Sequence, residues 1–352
     1  MATATGIHHR SYRAELRLRH TKAEWARLAL VFLALLVAPY VLTVYWLGIA
    51  NSILIAVIGA VGLNILVGFT GQISLGQGGF LAVGAYSSAI LSTRAGLPVP
   101  LAVVIAVLLT AVIGALFGLP ALRLKGLYLA IATLASQEII MFVVRRWGFL
   151  TEDKGYIEVP RLNLFGWQIE RETFEVQWYW LLLPITILSV MAARNLFRTA
   201  LGRSFMAVRD QDIAAEAIGV NLTRAKVTAF AVSSGFVGLS GALSAYYTET
   251  VTWERFTLDV SVLYLAMIIV GGLGSIAGSV YGAIFMMLLP ALLTEIGGAV
   301  GNAVPFLSEQ LPAIKNAVFG LAIIVFLLVE PRGLDRIWSR MKDYIRFWPF
   351  RY

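Results

Sequence analysis

Leu201 to Asn221 reads L-G-R-S-F-M-A-V-R-D-Q-D-I-A-A-E-A-I-G-V-N, a charged, helix-forming island between long apolar stretches. At about 100° per residue, Arg209, Asp212 and Glu216 share one stripe, at spacings of three and four. Ala207, Ala214 and Ile218 fall on the opposite face. Gly219 suits the C-cap of such a helix, and Asn221 the N-cap of the helix that follows. The pattern predicts one short amphipathic helix over Arg203–Ile218, lying against the inner membrane and turning into a span. A solvated charged face would look the same from sequence. The placement in the longest inner loop, Arg194–Lys226, favours a stiff element that receives a push from another subunit, which a pore or carrier does not need.

Composition supports the membrane setting. The chain is 59% hydrophobic and 14% charged, which marks a polytopic membrane protein rather than a soluble domain. About 20 mostly apolar residues cross the ~30 Å hydrocarbon layer as a helix. About ten such stretches recur, near 27–48, 49–68, 78–93, 99–120, 127–144, 177–193, 227–247, 258–271, 279–297 and 313–329. The expected fold is therefore all-α: a multi-pass inner-membrane protein with about ten transmembrane helices. A basic tail (1–26), one membrane domain (27–329) and a second basic tail (330–352) make up the chain. No cleaved signal peptide is evident, and the first span is expected to serve as an insertion signal.

The net charge is +8, but its distribution argues against nucleic acid. Basic residues crowd the N-terminal tail, the Arg194–Lys226 loop and the C-terminal tail. That bias beside apolar spans is the positive-inside signal, so both termini and the loop are expected inside. The basic tails suit anionic lipid head groups. The outer loop, 145–177, is the exception: Arg145 and Arg146 would face outward against the rule. Trp25, Trp46, Trp147, Trp178, Trp180 and Trp253 fall at span boundaries, as interfacial anchors do.

Several chemistries are missing. The chain has no cysteine, so disulfides and thiolate metal sites are excluded. Its three histidines (His8, His9, His20) lie in the N-tail, away from the spans. Glu138, Glu295 and Lys315 fall inside spans without forming a relay, and each could reach a boundary by snorkelling. None of the six lysines follows a glycine, so no G-x-x-x-x-G-K-[ST] loop for ATP exists. No metal and no cofactor is expected, and a membrane-embedded enzyme is disfavoured.

Gly68 to Phe80 reads G-F-T-G-Q-I-S-L-G-Q-G-G-F, five glycines interleaved with Thr70, Gln72, Ser74 and Gln77. Glycine permits close helix approach and the dihedrals of a break. The polar side chains can satisfy backbone groups that a break sets free. Close packing, a plain interfacial turn and a broken or re-entrant element beside a substrate path all fit. Gly271 to Gly278, G-G-L-G-S-I-A-G, reads as a tight inner turn. Val67-Gly68-x-x-Gly71-x-Ile73 matches Val270-Gly271-x-x-Gly274-x-Ile276 in parallel sense, a recurrence that chance accounts for.

The Leu201–Asn221 stretch resembles the coupling loop of bacterial ABC importer permeases of the branched-chain amino-acid type. The Gly68–Phe80 run, Leu122–Leu134 (L-R-L-K-G-L-Y-L-A-I-A-T-L) and Gly271–Gly278 resemble the same family in order, closer to its M-type permease than to the H-type partner. The resemblance implies a heterodimer of two permease subunits, two cytoplasmic ATP-binding subunits and a periplasmic substrate-binding protein. It implies ATPase coupling by Arg209, Asp212, Ala215, Glu216, Gly219 and Asn221, and lining of the translocation pathway by Asn64, Gln72, Ser74 and Gln77. Branched-chain or related amino acids are the implied substrates; urea, amides and aromatic acids are carried by relatives. An ATPase-independent secondary carrier or channel is the reading from a different class. Two departures stand out. Thr151-Glu152-Asp153-Lys154-Gly155 replaces a Thr-Gly-Gly-x-x-Gly turn in the outer loop, and Ser279 follows Gly278 where many members have Pro.

Overall fold

The computed structural model describes residues 22–146, 155–164, 167–168, 172–303, 317–321, 323–325, 328 and 333–347. The chain divides into two units, Met1–Gly48 and Ile49–Tyr352. In order, the helices are α1 (Lys22–Val41), α2 (Val44–Thr70), α3 (Gln77–Thr93), α4 (Val99–Gly118), α5 (Leu127–Arg146), α6 (Phe174–Leu196), α7 (Ala200–Asp210), α8 (Asp212–Ala217), α9 (Leu222–Thr248), α10 (Leu258–Gly271), α11 (Ile276–Ala303) and α12 (Leu334–Phe347). Four short strands complete it: β1 (Tyr156–Glu158), β2 (Asn163–Leu164), β3 (Trp167–Gln168) and β4 (Thr250–Thr252). Among the described residues six helices, α2, α4, α5, α6, α9 and most of α11, are long and apolar enough to cross a membrane. The apolar part of α1 (Ala29–Val41) is shorter, as are α3 with 17 residues and α10 with 14. Much of the expected span 313–329, with Lys315, lies outside the described residues, as do His8, His9, His20 and most of the basic N-tail.

The first boundary differs from expectation. The sequence suggested a break at 48/49, but α1 stops at Val41 and α2 begins at Val44. Pro39 lies in the last turn of α1 and has no N–H to donate back into it. Gly48 is helical, since one internal glycine costs only about 1 kcal/mol.

In the second unit α9 is central, and small residues bring its neighbours close. A Cβ on Gly84 of α3 would collide with the backbone of Gly238, and one on Gly241 with the Leu81 carbonyl. Gly238 also meets Thr110 of α4, and Gly114 of α4 meets Ser234. Packing of this kind holds helices together where lipid removes any hydrophobic drive. Two α9 serines also donate to α2 carbonyls: Ser233 Oγ to Gly62 at 2.7 Å and Ser240 Oγ to Ile55 at 2.8 Å. From Ile55 to Phe69 every α2 residue is buried, as expected of a helix apolar on all sides.

The connections sort onto two ends. At one end β1 pairs antiparallel with β4, Ile157 opposite Val251. Asn51 Nδ2 and Tyr247 OH both donate to Glu175 Oε2, each at 2.8 Å. The Arg145 guanidinium lies 5.3 Å from the centre of the Trp253 ring and pairs with Glu138 at 3.4 Å. Those contacts account for basic residues on the end opposite the charged island. Trp178 corrects the anchoring expectation: it is 1% exposed, packed against Phe174 and Tyr247 with centroids 6.2 and 5.6 Å away. Residues 151–154 of the divergent outer turn lie outside the described residues, and Gly155 has φ +77°. At the other end residues 71–76, 119–126, 197–221 and 272–275 gather, and the candidate site forms there.

Candidate functional site

The Gly68–Phe80 run holds a helix break that is largely buried, with Gly71 and Ile73 exposed. α2 stops at Thr70, residues 71–76 are not helical, and α3 starts at Gln77. Groups freed by the break find partners. Thr70 Oγ1 donates to the Ile65 carbonyl at 2.8 Å, and the Gln72 amide to Leu66 at 3.1 Å. The Leu75 amide donates to Thr133 Oγ1 of α5 at 2.9 Å, and the Gly78 amide to Ser261 Oγ of α10 at 2.7 Å. Such pairing makes irregular backbone tolerable among membrane helices. A Cβ on Gly78 would lie 2.7 Å from the Phe256 carbonyl, so glycine is required there for close approach. Gln137, with its nitrogen toward the Leu75 carbonyl (2.9 Å) and Ser261 Oγ (2.6 Å), accepts the Leu258 amide at 3.2 Å.

Asn64, Gln72, Ser74 and Gln77 are all at most 5% exposed, but their surroundings differ. Asn64 Nδ2 donates to the Ser275 carbonyl (2.8 Å) and Ser279 Oγ (2.7 Å), and its Oδ1 accepts the Gly274 amide at 3.0 Å. Gln77 Nε2 donates to the Gly59 carbonyl at 3.1 Å, and Ser74 Oγ accepts the Gly76 amide at 3.3 Å. Gln72 is different: neither atom of its buried amide has a partner. Ser279, where many members have proline, donates its own amide to Ser275 at 3.1 Å, a bond proline could not make.

The two matching Gly-rich segments meet in space. Gly71 and Gly274 have φ of +71° and +75°, and both press on Arg209. A Cβ on Gly71 would lie 3.4 Å from the Arg209 Cα, and one on Gly274 would strike the Arg209 guanidinium. Gly68 abuts the Gly274 amide and Asn64. The parallel match, which chance would explain in the sequence, thus marks two turns of similar geometry on either side of one arginine.

The charged island is two helices rather than one. Gln211, at φ −166° and ψ 116°, is extended and separates α7 from α8. This break resets the helical phase, so the expected faces do not hold. Inward point Phe205, Val208 and Ala215, each at most 3% exposed. Ala214 and Glu216 are exposed, and Ile213 and Ile218 are 74% and 76% exposed. Thr199 caps α7 by accepting the Gly202 amide. α8 ends in a Schellman arrangement: the Gly219 amide donates to Glu216 at 2.9 Å and the Val220 amide to Ala215 at 3.0 Å, with Gly219 at φ +89°. Asn221 Oδ1 accepts the Arg224 amide at 2.8 Å and caps α9.

Asp212 anchors α8 to the bundle. Its Oδ2 takes Lys226 Nζ of α9 at 3.0 Å and Lys125 Nζ at 2.8 Å. Partial burial pushes this carboxyl up, but the hydrogen bonds and charges of Lys125 and Lys226 together hold it below the ordinary carboxylate range. The structure therefore sets Asp212 and Ala215 against the bundle, keeps Arg209 exposed beside the Gly71 and Gly274 turns and leaves Glu216 outside, with Gly219 and Asn221 forming the turn. Sequence reasoning missed Lys125 and Lys226 as partners of Asp212. The available signal was Lys226 itself, a lysine in the first turns of an apolar helix and 6% exposed at its side chain. Among the described residues no cluster of His, Asp and Glu could hold a metal.

An apolar helical bundle with a broken, buried span and a charged element clipped to one end defines a multi-pass membrane protein of the transport-permease class. Residues 45–327 match the model of the family described as branched-chain amino acid transport system / permease component, and the chain belongs to that family. It is 34% identical over 289 residues to the high-affinity branched-chain amino acid transport system permease protein LivM of Escherichia coli, covering 74% of this chain and 68% of that one. The Salmonella typhimurium LivM is 33% identical over 278 residues, 73% of this chain. The match spans 65% of that relative, less than two thirds of its length. A probable LivH permease of Methanocaldococcus jannaschii is 25% identical over 304 residues, 80% of this chain and 89% of that one. No solved structure matches the chain.

Proposed function

We propose that this chain is one of two permease subunits of an ATP-driven importer, forming half of the pathway for branched-chain or related amino acids. The partners are a second, different permease subunit, two cytoplasmic ATP-binding subunits and a periplasmic binding protein that delivers the substrate. The chain would cross the inner membrane about ten times, both termini inside, and would itself hydrolyse nothing.

The observation that carries this reading is the outer face of α8. Glu216 stands between Ile213 and Ile218, two isoleucines about three-quarters exposed, on an element locked from behind by Asp212 and Ala215. Exposed aliphatic residues around a charge, on a rigid short helix, suit docking to a partner protein. Displacement of α8 would reach the helix breaks through the adjoining α7, whose exposed Arg209 touches Gly71 and Gly274. Asn64, Gln72, Ser74 and Gln77 belong to or abut those breaks and are the pathway residues of this proposal.

Reconstitution tests it. Vesicles holding both permeases, the ATPase subunits and ATP should accumulate leucine only with binding protein on the opposite side. Accumulation by this chain without ATPase subunits, driven by an ion gradient, would establish a secondary carrier instead.

A further inference from the structure

A cavity of about 250 Å³ lies between the end of α2, the 124–126 connection, the α7–α8 joint and the start of α9. Its polar wall carries Gln72, Lys125, Arg209, Asp212 and Lys226. Three positive charges face one carboxylate there. Lys125 and Lys226 both bond Oδ2 of Asp212, leaving Oδ1 open. Arg209 is in no ion pair among the described residues. Gln72 is 5% exposed with both amide atoms unpartnered, and a buried idle amide calls for an explanation. Leu124, Leu129 and Val208 add aliphatic surface beside the polar Thr70 and Gln211.

We infer that this cavity is a binding site for a free aliphatic α-amino acid, separate from the binding protein's site and opening on the face that carries the coupling helices. The chemistry matches group by group. Arg209 and Lys125 suit the carboxylate and Asp212 Oδ1 the ammonium, to which the enclosed Gln72 amide would turn as a second acceptor, and the aliphatic wall suits a branched side chain. An inorganic anion would use the cations and leave the open Oδ1 of Asp212 and the aliphatic surface unused. The wall joins a helix break to the α7–α8 joint, so an occupant would touch both at once and report solute already delivered. This assignment rests on the importer reading for the cavity's side of the membrane and for its ligand class.

The test uses the full complex of permeases and ATPases, purified without the binding protein and titrated with radiolabelled L-leucine by equilibrium dialysis. Saturable binding is expected, weakened about tenfold or more in both Gln72→Leu and Leu124→Trp, since each loses or blocks a polar contact of that order. Isocaproate and isoamylamine, each lacking one of the two charges, should compete at least about tenfold more weakly than leucine. Two variants at different walls guard against a folding defect in either, and co-elution of the permease and ATPase subunits on size exclusion reports that the complex is assembled. Absence of saturable binding overturns the inference, as does binding that Leu124→Trp leaves intact, which would place leucine in the pathway. Competition by isocaproate equal to that by leucine would leave only an anion site and also overturn it. Binding-protein-dependent uptake by the same complex separates the two readings: uptake without dialysis binding sinks this inference alone, whereas loss of ATP-dependent uptake sinks the importer reading.

Discussion

Asn64 of α2 accepts the Gly274 amide at 3.0 Å, so one side chain ties the two Gly-rich breaks together although 210 residues separate them in the chain. Its nitrogen closes the clip on Ser275 and Ser279. Asn64→Ala leaves the part-buried Gly274 amide without its partner, at a cost of roughly 1–3 kcal/mol, while the Ser275 carbonyl keeps the Ser279 amide. The thermal unfolding midpoint of the purified complex should fall in Asn64→Ala and in Asn64→Asp, which lacks the donor. An unchanged midpoint in both would show that the clip contributes nothing.

Gly274 also faces Arg209. Gly274→Val adds a β-branched side chain at positive φ, which costs about 1–2 kcal/mol by itself, and drives that side chain into the guanidinium. Gly96→Val is the control, with φ +60° and nothing within 4 Å of an added Cβ. Both should lose some stability, but only Gly274→Val should abolish substrate-stimulated ATP hydrolysis. Equal effects on hydrolysis would remove Arg209 from the coupling route.

Acid sensitivity should follow Asp212. Its pKa is lowered in the folded protein by Lys125 and Lys226, so its stabilising contribution is present above the ordinary carboxylate value and is lost as pH falls through the folded value. Lys226→Met removes one cation and should move that loss to higher pH. Asp212→Asn should remove this limb altogether, while leaving a less stable joint. Acid titration of unfolding checks this; identical profiles for wild type and Lys226→Met would contradict it.

Glu216→Arg should reverse the charge at the proposed ATPase contact. Removing one partner of an interfacial charge pair costs roughly 2–5 kcal/mol when buried and less at a rim. Gly219→Val meets no neighbour within 4 Å and is strained only by φ +89°, so its effect is on the Schellman turn that aims α8. Uptake and substrate-stimulated hydrolysis should fall together in both, with membrane insertion unaffected. Normal uptake in both would make the element a solvated connector.

Sidedness can be read directly because the chain has no cysteine. Arg203→Cys and Thr173→Cys, both at exposed positions, should differ in intact cells: an impermeant thiol reagent should label the second and not the first. The reverse pattern would invert the topology.

Six long apolar helices were legible because crossing lipid demands long apolar runs, and their period and length are local properties. The C-cap glycine and the Asn221 cap were legible for the same reason: both act within one turn of chain. The extended Gln211 was not, because the wheel from Arg203 to Ile218 is continuous in composition. Directly after the break Asp212 is tied to Lys125 and Lys226, one 87 positions upstream and one 14 downstream, contacts that no local pattern shows. Trp178 went astray likewise: its boundary position suggested anchoring, and packing against Tyr247, far along the chain, buries it.

The sequence alone determined that this is an α-helical membrane protein with a charged element between apolar helices, since hydropathy and capping depend on neighbours along the chain. Its motifs also determined the family. Only the tertiary structure decided that Asn64 joins the two glycine turns, that both turns bear on Arg209, and that Gln72 faces a cationic cavity with its amide unused. Those relations depend on which helices pack side by side, and small residues such as Gly84, Gly238 and Gly241 set that packing through contacts that no local pattern encodes.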